Sequence, residues 1–306
     1  MLGYALWRLL QAAISVFGVI TIVFVVMHFS GDPTLLLVPQ GASAEQIETL
    51  RHQLGFDQPV WVQYLAYLGG LLQGDFGQSV VQRAPAFGIV LSRLPYTIEL
   101  AIGALIVAIG VGLPVGMLMA TYRGTALERA LAAVVLTGQS VPTFLSGILL
   151  IMVFAVQLHW LPTSGVGDVR FLVMPSIALG ALSMSTFARM TRIAMVDELG
   201  KDYVRAALAR GLSMRAVVLR HVLRNSAIPV ITIAALEIGN LLAGAVIVET
   251  VFAWPGIGQL AIQSIQSRDF LVVQVIVLLI SFIYVATSVA ADFAYAAIDP
   301  RIRLAR

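Results

Sequence analysis

The sequence contains no cysteine, which excludes a disulfide framework, thiol chemistry and thiolate metal sites together. Charge is scarce too: 11% of the 306 residues are charged, against roughly 25% in an average soluble domain. Four histidines, His28, His52, His159 and His221, are scattered without ligand spacing and give no basis for a dedicated metal site. No G-x-x-x-x-G-K-[ST] phosphate loop occurs. The one Gly-Lys pair, Gly200-Lys201, is followed by Asp202 and has Met195 where the first glycine belongs, so the chain is not its own ATPase. Paired aspartates or a Ser/His constellation at matching membrane depth, the marks of an intramembrane enzyme, are also missing.

What the sequence has in excess is apolar surface. Hydrophobic residues make up 59% of the chain, and they gather in runs such as 9–29, 98–120 and 271–291. Each run is near the roughly 20 residues a helix needs to cross about 30 Å of hydrocarbon. The first follows Arg8 but has no small-x-small cleavage site and exceeds a signal core of about 7–15 residues, so it reads as a retained span. The expectation is an all-α polytopic membrane protein with about six spans, near 9–29, 96–120, 130–157, 172–192, 227–249 and 271–295.

An even number of spans puts both termini on one side. Arg8, Arg123, Arg129, the basic set from Arg189 to Arg224 with Lys201, and Arg301, Arg303 and Arg306 share that side. Arg51, Arg83, Arg93, Arg170 and Arg268 lie opposite. By the positive-inside rule the arginine-rich side is cytoplasmic. The short loops agree with this: Arg123 and Arg129 flank a tight turn on the cytoplasmic side, whereas the 158–171 loop sets Arg170 against Asp168.

Pro114, Pro142 and Pro175 fall within expected spans, and Gly112 and Gly116 form a G-x-x-x-G pair suited to close helix contact. Glu237 lies mid-way along the fifth span, Glu99 and Glu249 near span ends and Asp292 in the sixth. A carboxylate in hydrocarbon costs several kcal/mol, so these groups should face the bundle interior or water. Glu237 and Glu249 are the candidate pathway residues; position alone also allows a hydrogen-bonded structural role for the first and an interfacial place for the second.

The segment 196–226 is far too polar to span. It reads as two short surface helices. The first, near 199–210, sets Tyr203, Ala206, Ala207 and Arg210 on one face and stops at Gly211; the second, capped by Ser213, carries Arg215, Arg220 and Arg224. An aromatic beside two alanines suits seating in a groove of another protein. A basic helix on anionic headgroups is the alternative that chemistry alone leaves open.

The segment resembles the EAA loop of membrane subunits of type I ABC importers. Ala206-Ala207-x-x-x-Gly211 carries the Ala-Ala-x-x-x-Gly part of that loop. The departures resemble the peptide/nickel branch, through Tyr203, Arg205, Ala207, Gly211, His221, Leu223, Arg224, Asn225 and Pro229. The likeness continues through Gly31-Asp-Pro33, Leu54-Gly-Phe-Asp-Gln-Pro59 and Gly74-Asp-Phe-Gly-Gln-Ser79. It resumes at Glu249-x-Val-Phe252-x-Trp254-Pro-Gly-Ile-Gly258, Arg268-Asp269 and Ala297-Ile-Asp-Pro-Arg301; Ser30 and Phe56 replace the more usual proline and leucine.

The resemblance implies a single permease domain over 1–306, with an external segment at 30–95 and a cytoplasmic coupling loop at 196–226. It implies ATPase coupling through Asp202, Tyr203, Arg205, Ala206, Ala207, Arg210, Gly211, His221, Arg224 and Asn225. It also implies a second permease, two ATP-binding subunits that hold ATP-Mg, an extracytoplasmic substrate-binding protein and a bacterial inner-membrane location with both termini cytoplasmic. No cofactor, metal or nucleic acid is expected on this chain. Dipeptides, oligopeptides or glutathione are the expected cargo. Nickel or a nickel chelate is the alternative, and a secondary carrier or channel is the rival from another class, though no strong internal repeat supports it.

Overall fold

The structure, a computed structural model, describes residues 2–29, 43–54 and 56–298. Gly31-Asp-Pro33, Arg301, Arg303 and Arg306 lie outside the described residues, as does part of the motif ending at Arg301. Every long element is a helix: α1 Leu2–Phe29, α2 Ala44–Leu54, α3 Val60–Leu72, α4 Ala86–Thr121, α5 Ala126–Ser140 and α6 Thr143–Leu150, which runs on as a π-helix over Ile151–Gln157. Then come α7 Val169–Leu199, α8 Asp202–Ala209, α9 Met214–Val217, a π segment Val218–Val222, α10 Leu223–Val251, α11 Ile257–Gln266 and α12 Phe270–Ile298.

Among the described residues, four stretches are long and apolar enough to cross a membrane: Leu6–Val26, Ala86–Thr121, Val169–Leu199 and Phe270–Ala290. The expected third span, 130–157, is not one rod. Helices α5 and α6 meet at 103°, because Pro142 has no amide to donate and pushes its predecessor out of the helical region; Val141 sits at φ −82°, ψ 123°. Counting that bent pair as one crossing gives five. The fifth expected span is α10, whose 29 residues reach about 43 Å at 1.5 Å per residue. Unlike Pro142, Pro175 and Pro229 lie inside continuous helices.

The chain divides into two compact units. In the unit built from Tyr96–Gln259 and the chain from Ala286 on, α7 is the central post, with α5, α6 and α10 packed on it. Lipid tails are as apolar as leucine, so this association rests on close packing and interhelical hydrogen bonds rather than on expulsion of water. The glycines show how close the packing is. A Cβ on Gly112 would lie 2.6 Å from the Met184 carbonyl oxygen, one on Gly116 2.3 Å from that of Ala188, and one on Gly180 2.6 Å from that of Ala104. The G-x-x-x-G pair therefore serves helix packing between α4 and α7. Leu100, Met174, Leu179, Leu241, Phe252 and Trp254 belong to one buried cluster of the unit.

The other unit comprises Leu2–Pro95 and Leu260–Val285. There the Thr21 and Tyr64 hydroxyls share a hydrogen bond of 2.7 Å, and Phe24 packs against Tyr64 and Tyr67 with ring centroids 5.0 and 5.7 Å away. These contacts hold α3 against α1. The aromatic residues of α3 differ in placement: Trp61 is exposed, whereas Tyr64 and Tyr67 turn inward.

Candidate functional site

The polar segment after α7 forms a short helix seated on the end of its own bundle. Lys201 is the N-cap position of α8, and its ammonium pairs with Glu198 in the last turn of α7. An acid in the last turn of a helix opposes the macrodipole, so a cation beside it is the expected compensation. Glu198 also accepts hydrogen bonds from the Tyr203 hydroxyl at 2.8 Å and the Asn225 amide at 3.5 Å. Burial pushes the Tyr203 phenol above its ordinary pKa, and the bond to Glu198 acts in the same direction, so the phenol remains the donor at neutral pH.

The four residues of the expected docking face divide between two environments. Tyr203 and Ala207 are half-buried against the cluster of Ala120, Met195, Val204, Val217, Val218 and Val222, so they seat the helix on its own chain. The aromatic is an inward anchor because its hydroxyl has Glu198 to reach and its ring has apolar neighbours. Asp202, Arg205, Ala206 and Arg210 are exposed, as are Leu208 and Ala209. Asp202 and Arg205 lie within 3.9 Å of one another at the open surface.

Gly211 ends the helix at φ +86° with its amide donating to the Leu208 carbonyl at 2.9 Å, a left-handed turn for which glycine has no steric cost. Ser213 then caps the next helix by accepting from the Ala216 amide at 3.3 Å. From Met214 onward there is no second break: α9, the π segment and α10 follow one another directly, so the expected second surface helix is the foot of the fifth span. His221 and Arg224 are exposed on that foot, and Asn225 is tied back to Glu198. Glu198 of α7 thus bonds to α8 through Tyr203 and to α10 through Asn225.

A second tie lies at the preceding turn. Glu128 accepts from Arg192 Nε at 2.7 Å and from the Gly124 amide at 2.6 Å, which joins the start of α5 to α7. Glu198, Glu128 and Arg192 are not among the site residues expected from the sequence. The signals were present: a last-turn acid three residues before a lysine, and a Thr125-x-x-Glu128 spacing at a helix start, where Thr125 accepts from the Glu128 amide at 3.4 Å.

The two candidate pathway carboxylates separate. Glu237 is half-buried, accepts a hydrogen bond from Ser183 Oγ of α7 and has the Asn240 amide 3.4 Å from its other oxygen. Asn240 itself is exposed. Glu249 has a different environment. It is wholly buried, with Oε1 accepting from Thr97 Oγ1 at 2.7 Å and Oε2 from the backbone amides of Gly258 and Gln259 at 2.7 and 3.0 Å. All the geometry around it serves a structural lock on the first turn of α11, where free amides favour an anion.

Residues 112–304 match the family described as the binding-protein-dependent transport system inner membrane component, and residues 1–101 match the corresponding N-terminal family. The chain belongs to this family. It is therefore a multi-pass inner-membrane permease subunit of a binding-protein-dependent ABC importer, and a transport subunit. The glutathione transport system permease protein GsiC of Escherichia coli (strain K12) is 41% identical over 304 residues, covering 99% of each chain. The protein of that name from Shigella flexneri serotype 5b (strain 8401) is also 41% identical over 304 residues, with the same coverage. Among solved structures, the inward-facing MetNI methionine ABC transporter (CY5 native crystal form) superposes with a TM-score of 0.58 at 19% identity, covering 70% of this permease and 98% of that chain. The shared fold is that of a type I importer permease.

Proposed function

We propose that this permease forms one half of the pathway of an ATP-driven importer of glutathione or related small peptides. A second, similar permease supplies the other half, two partner subunits bind and hydrolyse ATP-Mg, and an extracytoplasmic protein delivers cargo. Both termini and the 196–226 loop face the cytoplasm. Identity of 41% over 99% of the glutathione permease supports the cargo class. The coupling role is supported by one observation above the others: α8 leaves Arg205, Ala206 and Arg210 exposed while Glu198 ties its base to α7 and α10.

Energy has to enter through such a surface. Each tenfold step in concentration costs about 1.4 kcal/mol, and this chain has no phosphate loop to supply it. Closure of the ATPase pair moves α8, and the hydrogen bonds at Glu198 pass the displacement to α7 and α10, which rock the permease between inward-facing and outward-facing states. Glu237, half-buried at mid-span and open beside Asn240, offers a carboxylate to the ammonium group of a passing peptide.

The test is uptake by the complete complex in proteoliposomes. Labelled glutathione should accumulate only with ATP inside and binding protein outside, and short peptides should compete. Accumulation of nickel that neither glutathione nor peptides compete with would assign the cargo to the metal instead.

A further inference from the structure

Two turns in the unit of Leu2–Pro95 and Leu260–Val285 are joined by a buried pair. Ser79 Oγ donates to Asp269 Oδ2, and both residues are buried. Around Ser79 the chain folds into a tight loop: the Ser79 amide donates to the Ala84 carbonyl at 2.8 Å, the Ala86 amide to that of Gly77 at 3.0 Å, and Ser79 Oγ accepts from the Gln82 amide at 2.9 Å. Around Asp269 the end of α11 turns sharply, with the Asp269 amide donating to the Ser264 carbonyl at 2.8 Å and the Arg268 amide to that of Ile265 at 3.2 Å.

Each of these turns carries an arginine in the left-handed region, Arg83 at φ +51° and Arg268 at φ +57°. This is backbone that glycine or asparagine adopts at less cost. Both side chains are exposed, and among the described residues neither has an ion pair or side-chain hydrogen bond. Asp269, the acid next to Arg268, is turned inward onto Ser79, away from the exposed guanidinium. Two guanidinium groups are thus displayed on turns that a buried hydrogen bond locks together.

We propose that Arg83 and Arg268 form a basic docking pair that receives carboxylates of the substrate-binding protein. The inference rests on the importer reading above: the charge distribution puts both turns on the extracytoplasmic side, and the family is defined by its dependence on a binding protein. A guanidinium fork accepts a carboxylate in two parallel hydrogen bonds, and unpaired surface charge of one sign raises the rate at which an oppositely charged partner arrives. The partner surface is therefore acidic at the point of contact.

The complete complex, in nanodiscs of phosphatidylcholine, is titrated with the binding protein of the same importer while ATP hydrolysis is measured. Arg83→Glu with Arg268→Glu should raise the half-maximal binding-protein concentration at least tenfold, leave basal hydrolysis unchanged and weaken the salt dependence. Arg83→Asn with Arg268→Asn removes the charge and suits the left-handed backbone, so it should give a smaller shift in the same direction with no loss of thermal stability. Variants that titrate as the wild type would overturn the docking pair, as would an effect that appears only when phosphatidylglycerol is added, which assigns the arginines to lipid. A wild-type complex that no binding protein stimulates would contradict the importer reading itself.

Discussion

Glu249 and Thr97, 152 positions apart, share a buried hydrogen bond of 2.7 Å, and Thr97 in turn accepts from the Ile257 amide at 2.8 Å. Together with the Gly258 and Gln259 amides held by Glu249, three backbone donors at the start of α11 depend on this one pair. Gly256 is the necessary companion, since a Cβ there would fall 2.2 Å from the Glu249 carboxylate. Trp254 closes the arrangement by donating its indole N–H to the Tyr96 carbonyl at 2.8 Å.

Loss of that lock should be costly. Glu249→Leu strands the buried Gly258 amide and Thr97 hydroxyl and the half-buried Gln259 amide, at about 1–3 kcal/mol for each group left buried without a partner. The expected result is a permease that inserts but unfolds at lower temperature, with the 252–259 segment open to protease. Thr97→Val should show a weaker form of the same effect. A Glu249→Leu protein as stable as the wild type would refute the structural role.

Helix packing gives a second expectation. Gly116→Leu places a side chain where the Ala188 carbonyl and Thr191 already stand, and overpacking of this kind costs about 1–3 kcal/mol. Thermal stability in detergent should fall, and Gly112→Leu should behave alike. Gly110→Leu is the control, because no atom lies within 4 Å of its Cβ position.

The coupling segment separates into faces by substitution. Arg205→Glu with Arg210→Glu should reduce substrate-stimulated ATP hydrolysis by the complex at least tenfold while leaving membrane insertion intact, because both side chains are exposed and the pair of Arg205 with Asp202 lies at the open surface. Tyr203→Phe tests the inward face. It removes only the donor to Glu198, should cost about 1 kcal/mol, and should lower the stimulated rate without abolishing it. Stimulated hydrolysis at the wild-type rate in the arginine variants would move the ATPase contact elsewhere.

Glu237→Gln keeps the shape and hydrogen-bonding capacity beside Ser183 and Asn240 but removes the charge. Uptake of glutathione should slow, with ATP hydrolysis still stimulated. Equal uptake by the variant would return Glu237 to a purely structural role.

Much of this was legible in the sequence, and what was not has a physical reason. Long apolar runs locate helices because span length is fixed by the bilayer, and α4, α7 and α12 follow. Gly211 and Ser213 announce the stop and the cap around α8 because left-handed backbone and helix starts favour those residues. The break at Pro142 was foreseeable as a proline effect, but its 103° size depends on what packs against each arm. Tyr203 has the spacing of an outward knob, and only the position of Glu198 and the buried valines shows that it turns inward. Pairings such as Glu249 with Thr97, or Ser79 with Asp269, join distant segments, and no periodicity in a single sequence reports them.

The central claim is that this permease works as half of an ATP-coupled importer. The most direct measurement is purification of the tagged chain from native membranes, identification of its partners by mass spectrometry and an ATPase assay on the eluate. Recovery of a second permease and ATP-binding subunits, with hydrolysis stimulated by a binding protein, is the predicted result. A homogeneous species without ATPase partners, active in transport on its own, would contradict it.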